Sequence, residues 1–361
     1  MRILLTGGGT GGHVYPALAI AEELQERQDA QPLSLLFVGT RDRLEAQIVP
    51  LSGIPIAFVS AAPLVRRISL ALIKTVVLNA AGVVQALGIL HRFRPDCVVA
   101  TGGYVAFPVV LAMRIVRILG LSRGKIALLE PNAISGLTNR LLGPLVDEIW
   151  ATYSEQHATH HGRAVLTGTP VRIGFNAPLE RREARARLGL DPEKTTIVVM
   201  GGSQGARSLN DAVGLLVLPE SWQVLHLTGR RDEVAPVRRS VVSIPYLDDP
   251  RAAYAAADIV VARSGASTLA ELAVTGTPSI LVPYPYATDA HQMHNAARFV
   301  TAGAARVITD RELDGVRLRR ELDMVLEPQT LAEMRKAAAG VAPIDARERI
   351  ARRVVALAAE K

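Results

Sequence analysis

RILLTGGGTGGHVYPALAIAEELQER, residues 2–27, is the stretch whose reading decides the fold. Residues 2–6 read as a short buried strand, Gly7 to Gly12 as a tight loop, and Pro16 to about Arg27 as a helix with proline in its first turn. A second opening of the same kind, TTIVVMGGSQGARSLN, begins at Thr195, with a strand over 195–200, a glycine loop and a helix from Ser208. Strand-like runs recur at 33–38, 96–101, 125–129 and 148–151, and again at 224–227, 258–262 and 279–283. Helical stretches separate them. That alternation predicts parallel βαβ units, hence an α/β chain of two doubly wound domains. The expected boundaries are 1–170 and 171–344, with a linker near Gly168–Arg172 and an arginine-rich terminal helix, 345–361, packing back on the first domain. Paired domains of this class hold ligands in the cleft where the carboxyl ends of their strands face each other.

The bulk properties agree with this. A chain of 361 residues gives about two domains at ~150 residues each. With 49% hydrophobic and 21% charged residues, disordered and low-complexity classes are excluded. Cys97 is the single cysteine, so a disulfide framework and a cysteine-only zinc site are excluded, and its apolar strand makes it packing. His291 and His294, or His157, His160 and His161, lack the carboxylate or thiol that would complete a metal set, so no metal is expected. Ile3–Leu5 is too short for a signal-peptide core, and the expectation is a cytosolic protein.

The net charge of +7 is unevenly spread. Residues 66–140 carry ten basic residues (Arg66, Arg67, Lys74, Arg92, Arg94, Arg114, Arg117, Arg123, Lys125, Arg140) against Asp96 and Glu130. Such asymmetry points to an anionic partner. Nucleic acid is not expected, because aromatics are only 4% and the basic residues alternate with aliphatics. Within this window, 68–90 holds one charge, Lys74, and is long enough for a membrane span. On a helical wheel Arg67, Lys74 and Gln85 fall on one narrow edge, which Thr75 and Gly82 extend. Three readings remain open: a core helix, a helix lying on an anionic membrane surface with Arg66, Arg67 and Lys74 at the headgroups, or a true span.

The loops carry the chemistry. Gly7, Gly9 and Gly12 satisfy G-x-G-x-x-G, but the second strand ends Phe37-Val38-Gly39-Thr40 without the acid a dinucleotide ribose needs. No Walker lysine follows either. Both glycine loops can still present backbone N–H groups to an anion at a helix start, and their tips (Thr10, His13, Ser203, Gln204) are polar. In Ala262–Glu271 a strand ends, a small-residue loop opens a helix, and Glu271 sits one turn in. Its carboxylate reads either as an acceptor for a ribose diol or as an ordinary helix-start acid. Gln292 and Asn295, three apart on one helix face, can read sugar hydroxyls.

Six collinear motifs make the pattern specific: Gly8–His13, Gly102–Val105, Ser135–Asn139, Gly201–Ala206, Ser264–Ala266 before Glu271, and Asp289…Gln292…Asn295-Ala296. From about residue 3 to 357 the chain resembles the MurG family of bacterial peptidoglycan N-acetylglucosaminyltransferases. The resemblance implies a GT-B fold and transfer of N-acetylglucosamine from UDP-N-acetylglucosamine, with inversion, to the C4 hydroxyl of an undecaprenyl-pyrophosphoryl-N-acetylmuramoyl pentapeptide. It implies a peripheral enzyme at the cytoplasmic face of the cell membrane, with no cofactor and no bound catalytic metal. Donor contacts then fall at Thr10, Gly11, Gly12, Asn132, Arg172, Ser203, Leu247 (backbone), Ala266, Ser267, Thr268, Leu269, Ala270, Glu271 and Gln292. His13 is the candidate general base, since imidazole titrates near neutrality. The chain departs from the family pattern at Leu129 and Pro131, at Thr169, and at Ala106-Phe107. Another GT-B enzyme, such as a lipid glycosyltransferase or a UDP-N-acetylglucosamine 2-epimerase, and a membrane-associated scaffold are the competing readings.

Overall fold

The computed structural model describes residues 1–27, 32–63, 70–153, 163–175, 179–202, 204–230, 240–247 and 249–360. They form two compact units, Met1–Ile173 with Asp345–Lys361, and Gly174–Ile344. Each unit is built on one parallel sheet.

In the first unit the strands are β1 (Arg2–Thr6), β2 (Ser34–Gly39), β3 (Ile56–Phe58), β4 (Cys97–Ala100), β5 (Lys125–Glu130), β6 (Glu148–Ala151) and β7 (Arg163–Leu166). Their order is β3-β2-β1-β4-β5-β6-β7. The helices are α1 (Gly11–Glu26), α2 (Leu44–Ile48), α3 (Leu70–Phe93), α4 (Ala106–Ile118), α5 (Leu137–Leu142) and, from the far end of the chain, Ala346–Ala359. Strands such as β4 are fully buried and read as unbroken apolar runs, because helices cover both faces. The terminal helix sets Ile350, Ala351, Val354 and Leu357 into the core with Ile20 and Leu24. Arg347 closes on Glu23 at 2.7 Å, and Arg353 pairs with Glu148.

The second unit holds β8 (Thr195–Met200), β9 (Trp222–Leu227), β10 (Val241–Ile244), β11 (Ile259–Ala262), β12 (Ser279–Leu281) and β13 (Ala305–Val307). Their order is β10-β9-β8-β11-β12-β13. Its helices are α6 (Arg181–Arg187), α7 (Arg207–Leu215), α8 (Arg251–Ala256), α9 (Ala266–Thr275), α10 (His291–Thr301), α11 (Gly315–Val325) and α12 (Pro328–Ala338); the terminal helix is α13. In each sheet the order reverses beside the first strand, between β1 and β4 and between β8 and β11. The glycine loops follow β1 and β8, so they sit at the crevice where such sheets bind ligands.

One local expectation changes. Helix α1 begins at Gly11, not Pro16, with Thr10 as its extended N-cap. Proline at the sixth position removes one i→i−4 bond near the helix start, where the backbone still tolerates it, and Gly11 and Gly12 become the first turn. Helix α3 turns its apolar face outward. Thr75, Asn79, Gly82 and Ala86 are buried, while Ile73, Val76, Val77 and Val84 are 58–68% exposed. The inward groups are pinned: Asn79 Nδ2 donates to the Ala62 carbonyl at 3.1 Å and the Thr75 hydroxyl to the Pro63 carbonyl at 3.3 Å, while exposed Gln85 accepts from the Ser60 amide through Oε1 at 2.6 Å. Among the described residues, Leu72–Phe93 is the one helix long and apolar enough to cross a membrane. Of the expected basic edge, Lys74 is exposed on α3, and Arg66 and Arg67 lie outside the described residues. His157, His160 and His161 do too.

Candidate functional site

In the first unit the site is built on the turn after β1. His13, in the first turn of α1, has Nδ1 2.9 Å from the Thr101 carbonyl. A carbonyl only accepts, so neutral His13 carries its proton on Nδ1 and its basic lone pair on Nε2. Thr101 is itself fixed, its hydroxyl donating to the His13 carbonyl at 2.6 Å. Gly103 lies at φ +77°, and a Cβ there would come within 2.5 Å of the Gly8 carbonyl oxygen and 3.0 Å of the His13 ring. Only glycine lets these two loops approach so closely. Thr10 is exposed and Gly11 and Gly12 are half-buried at the helix start, where their positive dipole end favours an anion.

Beneath the glycine loop lies a residue that sequence reasoning missed. Glu45, fully buried on α2, accepts from the Gly9 amide at 3.1 Å, the Thr40 amide at 3.0 Å and the Thr40 hydroxyl at 2.6 Å. The acid absent from the end of β2 is thus present five residues on, bonding the loop backbone and the end of β2. A second missed acid, Glu130, ends β5. It accepts from the Asn132 amide at 3.0 Å and from Asn139 Nδ2 at 2.9 Å. Asn139 in turn borders Gly102, which borders His13, so Asn132 and His13 belong to one contiguous group. Arg172 stacks on Tyr15 of α1, its guanidinium 4.6 Å from the ring centroid.

The departures from the family pattern fit their surroundings. Leu129 is fully buried in the core. The Thr169 hydroxyl meets that of Thr152 at 2.6 Å, and Thr152 donates to the Glu130 carbonyl at 3.2 Å.

Burial raises the Glu130 carboxyl to about 7, against the bonds from Asn132, Asn139 and Ser135 that lower it. A carboxyl raised in the folded state binds more protons than its unfolded counterpart between about 4.5 and 7, so its contribution to stability is lost as pH rises through that window. Glu130→Gln should therefore gain on the wild type by on the order of 3 kcal/mol between pH 4.5 and 8, on top of any constant offset, in denaturant unfolding. Parallel curves for the two proteins would refute the burial argument. His226 on β9 titrates the opposite way, lowered by burial to about 4, and cancels in that difference. Cys97, wholly buried, has its thiol pushed up and is inert.

In the second unit α9 opens after β11. Ser267 Oγ, at the helix start, is buried without a hydrogen-bond partner among the described residues. Glu271 accepts from Tyr254 Oη at 2.7 Å. Leu269 and Ala270 face the core, so those two positions can meet a ligand only through backbone. Ser264 Oγ donates to the Gln292 carbonyl at 2.8 Å, joining α9 and α10, while Gln292 Oε1 accepts from the Tyr284 amide at 2.9 Å. Asn295 does not share that surface: it is fully buried, its Nδ2 on the Ser264 carbonyl at 3.3 Å. Asp289 and Ala290, at φ +52° and +50°, hold the turn into α10 in the left-handed region, a strain typical of functional loops. Arg263, also missed, ties the end of β11 to α7 and to the end of β12 by bonding Ser208 Oγ at 2.9 Å and the Val282 carbonyl at 3.1 Å. Leu247, past β10, is half-buried. Ser203 lies outside the described residues.

Comparison with known proteins now bears on this geometry. The chain matches the glycosyltransferase family 28 N-terminal domain over residues 3–150 and the family 28 C-terminal domain over 196–350. A Desulforudis audaxviator protein named UDP-N-acetylglucosamine--N-acetylmuramyl-(pentapeptide) pyrophosphoryl-undecaprenol N-acetylglucosamine transferase is 42% identical, over 93% of each chain. A Symbiobacterium thermophilum protein of the same name is 40% identical over 99% of this chain and 96% of its own. Among solved structures, MurG from Acinetobacter baumannii matches at 25% identity and a TM-score of 0.73, covering 98% of this chain and 99% of that one. A UDP-N-acetylglucosamine 2-epimerase from Listeria monocytogenes, at 13% identity and a TM-score of 0.67, shares the fold alone. The chain therefore belongs to glycosyltransferase family 28 and, within it, to the MurG family with its GT-B fold.

Proposed function

We infer that this chain is an N-acetylglucosaminyltransferase that moves N-acetylglucosamine from its UDP donor to the C4 hydroxyl of an undecaprenyl-pyrophosphoryl-N-acetylmuramoyl pentapeptide. The near-full-length identity of 42% to a transferase so named carries the reading. The acceptor oxygen attacks C1 of the donor sugar, the C1–phosphate bond breaks with inversion, and the hydroxyl proton passes to Nε2 of His13. Charge then builds on the departing UDP. The N–H groups at the start of α9, with Ser267 Oγ, meet its phosphates, and Arg172 and the start of α1 add positive potential. Glu271 takes the ribose diol, Gln292 a sugar hydroxyl, and Leu247 the uracil through its backbone. Asn132, Thr10 and Ser203 complete the donor contacts.

Transfer of labelled N-acetylglucosamine from UDP-N-acetylglucosamine to a short-chain analogue of the lipid acceptor tests the assignment. Free N-acetylmannosamine without labelled glycolipid would sink it in favour of an epimerase, and failure of UDP to raise the melting temperature would favour a scaffold. Glu271→Ala should raise the donor KM by roughly tenfold or more, the loss of a charged acceptor being worth ~1.5–3 kcal/mol. An unchanged KM would leave Glu271 a mere anchor for Tyr254.

We further propose that the enzyme works as a peripheral protein on the anionic cytoplasmic membrane surface, with the outward face of α3 as its contact. Ile73, Val76, Val77 and Val84 supply the apolar face and Lys74 a headgroup charge. Ile73→Ser with Val77→Ser should cut partitioning onto anionic vesicles about tenfold or more, at ~1.5–3 kcal/mol per buried side chain. Replacing Arg66, Arg67 and Lys74 by glutamine should weaken binding and its salt sensitivity. Vesicle binding untouched by both sets of changes would place the contact elsewhere.

A further inference from the structure

The second unit contains a cavity of about 350 Å³ on the opposite end of α9 from Ser267. That is within the ~300–1,000 Å³ of small-molecule sites. Among the described residues, three guanidinium groups line it, those of Arg181, Arg251 and Arg335, with no aspartate or glutamate beside them in the wall. Phe175, Leu179 and Tyr254 supply an apolar floor.

The charges are incompletely answered from behind the wall. Arg251 is matched by Asp249 at 2.6 Å. Asp258 serves two arginines at once, Arg181 at 3.2 Å and Arg185 at 2.7 Å. Arg335, half-buried on α12, has no carboxylate in salt-bridge range among the described residues; it reaches only the Asp258 backbone carbonyl, at 3.5 Å. Burial and the neighbouring Arg181 both disfavour its charge, against a weaker pull from Asp258 that favours it. A partly desolvated cation beside a like charge is stabilised by an anion entering from solvent, and guanidinium forks match phosphate oxygens. Gly174, at φ +87°, belongs to the same construction: a Cβ there would stand 1.8 Å from Arg251 Nη1, so glycine keeps the arginine in the wall.

We propose that this cavity is a binding site for a small phosphate monoester with an apolar body, separate from the helix start that carries Glu271. The phosphate lies among Arg181, Arg251 and Arg335, and the body against Phe175 and Leu179. The site is tied to α9, because Tyr254 in its wall donates to Glu271 at 2.7 Å and Thr275 in its wall donates to the Glu271 carbonyl at 2.8 Å.

Calorimetric titration with phenyl phosphate and with inorganic phosphate tests this on the full chain. Phenyl phosphate should bind the wild type more tightly than inorganic phosphate does. Arg335→Gln should weaken it about tenfold or more, the scale of a lost charge-assisted pair, and Arg335→Lys less. Leu179→Trp, which fills the floor and keeps every arginine, should weaken phenyl phosphate most. Circular dichroism melting checks the fold of each variant, and the transferase rate without phenyl phosphate should be that of the wild type in Arg335→Gln. No binding to the wild type, or wild-type affinity in a folded Arg335→Gln or Leu179→Trp protein, overturns the proposal.

Discussion

Replacing His13 by alanine should lower the turnover for sugar transfer by ~10²–10⁴-fold and leave the donor KM near its wild-type value. The size follows from removing a positioned base from the step in which the acceptor hydroxyl loses its proton. Its position is what makes the effect large, because the Thr101 carbonyl holds Nδ1 at 2.9 Å and orients Nε2. His13→Gln separates the roles. Its side-chain amide can donate to the same carbonyl, so the loop stays in place while the base is gone. Steady-state rates against pH then give the reading: the acidic limb of kcat/KM should vanish in the glutamine variant. Turnover equal to that of the wild type would make the imidazole a fixture of the loop and nothing more.

A second large effect belongs to Glu45→Ala. Removing a buried carboxylate strands the Gly9 and Thr40 amides and the Thr40 hydroxyl that it accepts from. Each buried donor left unpaired costs ~1–3 kcal/mol, so the loss is on the order of 3 kcal/mol and the melting temperature should fall by about 10 °C. Transfer should fall more steeply than stability at temperatures where the protein is still folded, since the glycine loop leading to His13 loses its support. Glu45→Gln should recover part of the melting temperature, one oxygen still accepting. A full-strength enzyme with an unchanged melting temperature in Glu45→Ala would show that water replaces the carboxylate.

The interior strands of both sheets could be read from the chain, and the edges could not. β4, β8, β11 and β12 are buried and apolar throughout or nearly so. The four strands that escaped notice, β3, β7, β10 and β13, are the four sheet edges. They are short and largely half-buried, so half of each strand answers to solvent and the apolar signal fades. The candidate site divides the same way. Loops at strand ends were legible because glycine and small residues mark close approach. Glu45 and Arg263 were not, because each acts across 36 and 55 residues of chain on Gly9 and Ser208, a distance no local spacing encodes. On α3 periodicity found the polar edge, of which Lys74 and Gln85 are exposed, but not that Thr75 and Gly82 beside it turn inward with Asn79, where the loop at 60–63 supplies partners for Thr75 and Asn79.

That outward apolar face has a practical cost in the test tube. The oily stripe of α3 is locked in place by Asn79 and Gln85, so the purified enzyme cannot hide it by rotating the helix. Detergent or nanodiscs should suppress clumping at high concentration, and crystals grown without them should pair this stripe with its copy on a neighbouring molecule.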